Sequence, residues 1–151
     1  MKLKGTSMKR IFGIVALAAM ALSGCKEKPV LNVVDAVVRL PAVPRSPAAA
    51  YFTITGGPAA DRLIEVTSEN AIRAEIHESM AHDGVASMKP IESGVEIPAK
   101  SVVKFESGGK HVMFFDVNPA LQPPRTMPIT FIFASGERII ADATLKRAGE
   151  Q

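Results

Sequence analysis

The feature that most constrains this chain is a succession of short apolar stretches, each no longer than a strand and bounded by Gly, Pro or small polar residues. Ile72–His77 is the cleanest. Ile72, Ala74 and Ile76 alternate there with Arg73, Glu75 and His77, the period-two pattern of a strand with one face on a core. Ala48–Thr55 ends at Gly56-Gly57-Pro58, and Leu63–Thr67 follows. Val102–Phe105 and Val112–Val117 are rich in β-branched and aromatic residues. Ile129–Phe133 and Arg138–Leu145 flank Ala134-Ser135-Gly136-Glu137, which reads as a hairpin turn. Pro41, Pro44 and Pro47 mark an extended loop or an edge. No stretch carries a sustained helical period with caps. The expectation is an all-β domain, a sandwich or barrel.

The first 24 residues stand apart. Lys2, Lys4, Lys9 and Arg10 precede an uncharged apolar run, Ile11–Leu22, of 12 residues. That is too short to span a bilayer, which takes about 20 residues, and it fits a secretory signal. Leu22-Ser23-Gly24-Cys25 resembles a bacterial lipobox, in which the cysteine becomes the lipidated first residue. The layout expected is a lipoprotein signal peptide over 1–24, a tether over 25–30, one domain over 31–147 and a short tail over 148–151. Cys25 is the only cysteine. The domain therefore has no disulfide and folds on its core alone, in an oxidising compartment. Its expected place is the periplasm, held to a membrane by the lipid.

The charge balance changes once the signal is set aside. Of 18 basic residues, four lie in residues 1–24 with no acid beside them, which leaves 14 against 15 acidic residues, a net of −1. The basic character belongs to the precursor, and a nucleic-acid partner is not expected.

Histidine and methionine are scarce in the domain, so their placement is informative. His77, Met80, His82 and Met88 fall within twelve residues, and His111 and Met113 form a His-x-Met pair. Residues i and i+2 of a strand share a face. An imidazole and a thioether would thus stand side by side at 111 and 113, with Val112 and Phe114 on the core side. Asp83-Gly84 is a turn signal that can bring Met88 back beside His77. Thioethers are soft and select Cu(I), whereas Mg²⁺ and Ca²⁺ prefer oxygen and zinc prefers Cys, His and carboxylate. Met80 and His82 are auxiliary candidates. Met127, before Pro128, is expected in the core or a loop.

The spacing of these residues resembles that of the PCu(A)C family of periplasmic copper chaperones. That family carries His, ten residues, Met, about twenty-one residues, then His-x-Met. Here ten residues separate His77 from Met88, and 22 separate Met88 from His111-Val112-Met113. Further stretches match the family's texture, among them Ala48–Ile54, Ala60–Leu63, His77-Glu78, Asp83–Val85 and Val95–Ala99, so the resemblance runs over residues 31–147. It implies a cupredoxin-like Greek-key β-sandwich or barrel with Cu(I) on His77, Met88, His111 and Met113. It also implies delivery to the binuclear copper site of cytochrome c oxidase, in concert with a Sco-type thiol protein. Two positions depart from the family: Ala86, where a second Met is common, and Lys110, where an aromatic residue is common. No His/Met-rich tail follows the domain, so one Cu(I) per domain is expected.

Rival readings are a storage or resistance protein that keeps the copper, and a metal-free β-sandwich lipoprotein acting as a scaffold. An enzyme is not expected. His77-Glu78-Ser79-Met80-Ala81-His82 departs from the zinc-protease motif H-E-x-x-H, because position 81 is Ala and the motif needs a helix. No nucleophile elbow or phosphate loop is present.

Overall fold

A computed structural model describes residues 29–82 and 85–150. Residues 1–24, expected as a signal peptide, together with Cys25 and Asp83-Gly84, lie outside them. The described residues form ten strands and no helix: β1 Asn32–Arg39, β2 Ala48–Thr55, β3 Asp61–Thr67, β4 Arg73–His82, β5 Val85–Pro90, β6 Val95–Ile97, β7 Val102–Phe105, β8 Lys110–Phe115, β9 Thr126–Phe133 and β10 Arg138–Lys146. The order across the sheet is β5-β4-β8-β2-β1-β10-β9-β3-β6, with β7 also on β2. Every pairing is antiparallel except β1 with β10, which run parallel.

Strand β2 organises the curvature. Its first half, Ala48–Ala50, pairs with β8, and its second half, Phe52–Thr55, pairs with β7. β7 and β8 therefore follow one another along the same edge. Ala48, Ala50, Phe52 and Ile54 are all buried, so alternation places one entire face of β2 on the core. Phe52 stacks on Phe105 at 4.2 Å between centroids and meets the edge of Phe131 at 4.7 Å. Phe131 is on β9, three strands away from β2 in the sheet order. That contact shows the sheet curled on itself into an open, cupredoxin-like barrel. Burial of each such side chain contributes roughly 1.5–3 kcal/mol. Met127 is fully buried, as its sequence position predicts.

Two local features shape the closure. Gly56, at the end of β2, lies so close to the β6–β7 turn that a Cβ would stand 2.3 Å from the Pro98 carbonyl oxygen. No other residue fits there. The register of β1 against β2 shifts between Val34 and Val37, and Asp35 takes φ 55°. This is a bulge that bends β1; beyond it, Val37–Arg39 pair with β2 on one side and, in parallel, with β10 on the other.

The sequence pattern located β2, β7, β9, β10 and the turn between the last two, where Gly136 takes φ 90°. It did not single out β1, β5 or β6. It also ended a strand at His77 and began it at Ile72. The strand instead runs from Arg73 to His82, and Ile72 is 83% exposed. The physical reason lies across the ladder. Ala74 pairs with the buried Phe114, the last apolar pair of that face, and a side chain beyond it has no core to meet.

Asp61 ties β3 to the β9–β10 turn. Its Oδ1 accepts from the backbone N–H groups of Arg62 and Ser135, and its Oδ2 accepts from Ser135 Oγ. Partial burial would raise its pKa. The hydrogen bonds from the Ser135 hydroxyl and the two backbone groups outweigh it and hold the carboxyl below the ordinary aspartate range. Because the folded form is the stronger acid, its contribution is complete above the unfolded value of about 3.9 and is lost as pH falls through the lower folded value. Asp61→Ala is expected to lower stability by about 1 kcal/mol at neutral pH. Urea unfolding at a series of pH values should show the gap between the two proteins closing below about pH 4.

Candidate metal centre

The core decides which way the site points. Val112 and Phe114 of β8 are fully buried, and Ile76 of β4 is nearly so. Alternation then turns His111 and Met113, and Arg73, Glu75 and His77, to the opposite face. The β4–β8 register sets His77 directly across from His111 and Glu75 directly across from Met113. On the other side of β4, His77 pairs with Pro90 and Ser79 with Met88. Met88 therefore shares the outward face with His77. The two histidines form one row across the sheet. The row on one side of it carries Met113, and the row on the other carries Met88.

The imidazoles are held differently. His111 is only 4% exposed, covered by Tyr51 at 6.4 Å and His77 at 6.0 Å between ring centroids. Its Nδ1 lies 3.0 Å from the Gly109 carbonyl oxygen. A carbonyl only accepts, so the proton is on Nδ1 and the Nε2 lone pair is free. His77 shows the reverse. Its Nε2 lies 2.9 Å from Glu75 Oε2, and its Nδ1 is buried without a hydrogen-bond partner. The bond from His77 is the main reason the Glu75 carboxyl sits below the usual glutamate range. Partial burial opposes the shift, and Arg73 reinforces it. A carboxylate oxygen accepts, so the His77 proton that faces Glu75 is on Nε2. A buried nitrogen lone pair with no partner is a place for a metal or another donor.

Of the four expected ligands, the register brings all to one outward face. Met113 is half-buried and Met88 is 57% exposed. Met80 pairs with Ser87 and stands on the opposite face of β4 from His77. His82 pairs with Val85 through its backbone, and its side chain lies outside the described set. The stretch from His77 to His82 is strand, which removes the helix a zinc-protease motif would need. Among the described residues, no three His, Cys, Asp or Glu side chains gather to hold an ion. The thioethers of Met88 and Met113 share the outward face with the histidines, and thioethers favour a soft ion. The sequence reading missed the Glu75–His77 pairing, although both had already been placed on one face two residues apart.

The class this geometry defines is an all-β, cupredoxin-like domain with a His/Met cluster on the outer face of its sheet. Residues 31–145 match the family model described as "Putative lipoprotein LpqE-like", and the chain belongs to that family, which is of PCuAC type. A curated relative, "Putative lipoprotein Lxx21020" of Leifsonia xyli subsp. xyli (strain CTCB07), is 28% identical over 74 residues, 49% of this chain and 45% of its own length. The chain thus spans less than half of the curated relative it matches. Several solved structures share the fold. The copper-bound PCuAC domain from PmoF2 gives a TM-score of 0.64 at 19% identity, over 80% of this chain and 95% of its own. The apo PCuAC domain from PmoF1 gives 0.63 at 23% identity, over 80% and 97%. The solution structure of CuI-DR1885 from Deinococcus radiodurans gives 0.60 at 25% identity, over 88% and 87%.

The orphaned Nδ1 makes a prediction about the metal-free protein. A buried polar group left unpaired costs about 1–3 kcal/mol, which offsets the roughly 1.5–3 kcal/mol that a hydrogen bond to a charged group, here from His77 Nε2 to Glu75, contributes. His77→Phe is expected to leave the chemical unfolding free energy of the apo-protein within about 1 kcal/mol of the parent. A loss of several kcal/mol would show that His77 is a structural residue.

Proposed function

We propose that the protein is an extracytoplasmic Cu(I) metallochaperone that carries one copper ion on His77, His111, Met88 and Met113. One observation carries this reading: two neutral nitrogen donors and two thioethers lie in adjacent rows on one outward face, set by the β4–β8 and β4–β5 registers. Neutral N₂S₂ ligation suits a monovalent soft ion. The thioethers need no deprotonation, so only the two imidazoles compete with protons for capture. The likeness to the copper-bound PmoF2 domain and to CuI-DR1885 supports the same reading.

The ligands differ in accessibility, which suits cargo rather than a resident cofactor. His111 is buried, whereas Met88 lies exposed on β5, the edge strand of the sheet. An acceptor would displace the exposed thioether first and leave the histidine row for last. The lipobox at Cys25 and the lipoprotein family support a membrane-tethered carrier outside the cytoplasm. The recipient we favour is the binuclear copper site of cytochrome c oxidase, with a Sco-type thiol protein as the thiolate partner.

Cu(I) titration against a chromogenic chelator tests the site. His111→Ala and Met113→Ala are each expected to weaken uptake by roughly tenfold or more, and Met88→Ala to weaken it as well. Met80→Ala should change it little, since Met80 stands on the other face of β4. Binding to the folded state alone adds about 2.7 kcal/mol of stability at a free Cu(I) concentration one hundred times Kd, read as a rise in thermal midpoint. Unchanged uptake in the His111→Ala/Met113→Ala double variant rejects the site, and with it the chaperone. Oxidase copper content in a deletion strain distinguishes delivery, which lowers it, from storage, which leaves it intact.

A further inference from the structure

Copper ligation by His77 does not by itself call for Arg73 and Glu75, yet the three side chains form a continuous chain of contacts along the outward face of β4. Arg73 lies over Phe115, its Cζ 4.0 Å from the ring centroid, and Phe115 is also its cross-strand partner. Arg73 Nη1 donates to Glu75 Oε1. Glu75 Oε2 accepts from His77 Nε2 at 2.9 Å. Both carboxylate oxygens are therefore engaged, one by a cation and one by the imidazole. The cation is itself braced against an aromatic ring.

We propose that Glu75, braced by Arg73, is a positioning residue that selects the metal-binding nitrogen of His77: it keeps the proton on Nε2 and presents Nδ1. The reading rests on the copper site proposed above and specifies how that site binds. Three observations point the same way. The Nδ1 of His77 is the one buried side-chain polar atom among the described residues without a hydrogen-bond partner. His111, directly across the ladder, has the opposite arrangement, with Nδ1 bonded to the Gly109 carbonyl and Nε2 free. Glu75 is also excluded as a direct ligand beside the other donors, because its oxygens lie on the Nε2 side of His77 and are already engaged. The site would then use unlike nitrogens from its two histidines. A carboxylate behind a ligating imidazole fixes ring orientation and raises its basicity, so Glu75 strengthens the His77–copper bond without touching the ion.

The test begins without metal. In ¹⁵N-labelled apo-protein, long-range ¹H–¹⁵N correlation separates the two neutral tautomers. His77 is expected as the Nε2–H form and His111 as the Nδ1–H form. Glu75→Ala should turn His77 into a tautomer mixture while leaving His111 unchanged, and should weaken Cu(I) binding about tenfold in chelator competition. Glu75→Gln keeps a neutral acceptor and should restore the His77 tautomer with part of the affinity. A merely structural role would lower the unfolding midpoint without moving the tautomer. A His77 that carries its proton on Nδ1 in the parent protein overturns the proposal. So does a Glu75→Ala variant with unchanged tautomer and unchanged affinity. Should Glu75→Ala fail to fold, the parent spectrum and Glu75→Gln decide the matter. Cu(I) uptake untouched by His77→Ala would sink the copper reading instead, and the tautomer shift in apo Glu75→Ala would still decide the role of Glu75.

Discussion

The antiparallel register of β4 against β8 is the constraint on which the site depends. Ile76 opposite Val112 and Ala74 opposite Phe114 are core pairs, and a slip of one residue would exchange the two faces of the strand. Such a slip would bury His77 and Glu75 and turn Ile76 to water. Each buried side chain contributes on the order of 1.5–3 kcal/mol, so the register is held by hydrophobic packing. The placement of His77 opposite His111 follows from that packing. The outward face inherits its geometry from the inward one.

This dependence explains how two histidines come to sit close together on one face of the sheet. Each has one nitrogen engaged by an acceptor that is itself fixed: a backbone carbonyl at Gly109 for His111, and a braced carboxylate at Glu75 for His77. The second nitrogen of each is left with its lone pair. In the absence of an ion the arrangement carries an unpaired buried nitrogen, a local penalty that the core beneath it can sustain. Sites organised for a ligand commonly contain such a locally unfavourable group.

Much of this was legible in the sequence, and the parts that were not have physical reasons. The alternation in Ile72–His77 and the His-x-Met at 111–113 fix faces through a period of two, which single residues cannot disguise. β1 escaped because a bulge at Asp35 breaks its period, so its apolar residues no longer alternate in the letters. β5 escaped because it is an edge strand with little to bury, and its residues 87–90 are exposed. Its existence matters most for Met88, which reads in the sequence as part of a loop and stands in the structure on a strand. Met80 illustrates the converse. Three residues after His77, it is near in sequence, yet in an extended strand an odd separation places it on the far face.

The same parity argument limits what the site can bind. The outward donors reachable from the histidine row are thioethers at Met88 and Met113, and the nearest carboxylate, Glu75, is engaged with Arg73 and His77. A hard divalent ion would need that carboxylate, and taking it would break the His77 hydrogen bond and leave the Arg73 guanidinium without its acid. A soft monovalent ion needs neither change. On the copper reading proposed above, it would take two sulfurs and two nitrogens and leave the charge pair behind His77 intact. Selectivity for the softer ion would then arise from the side chains that surround the ligands as much as from the ligands themselves.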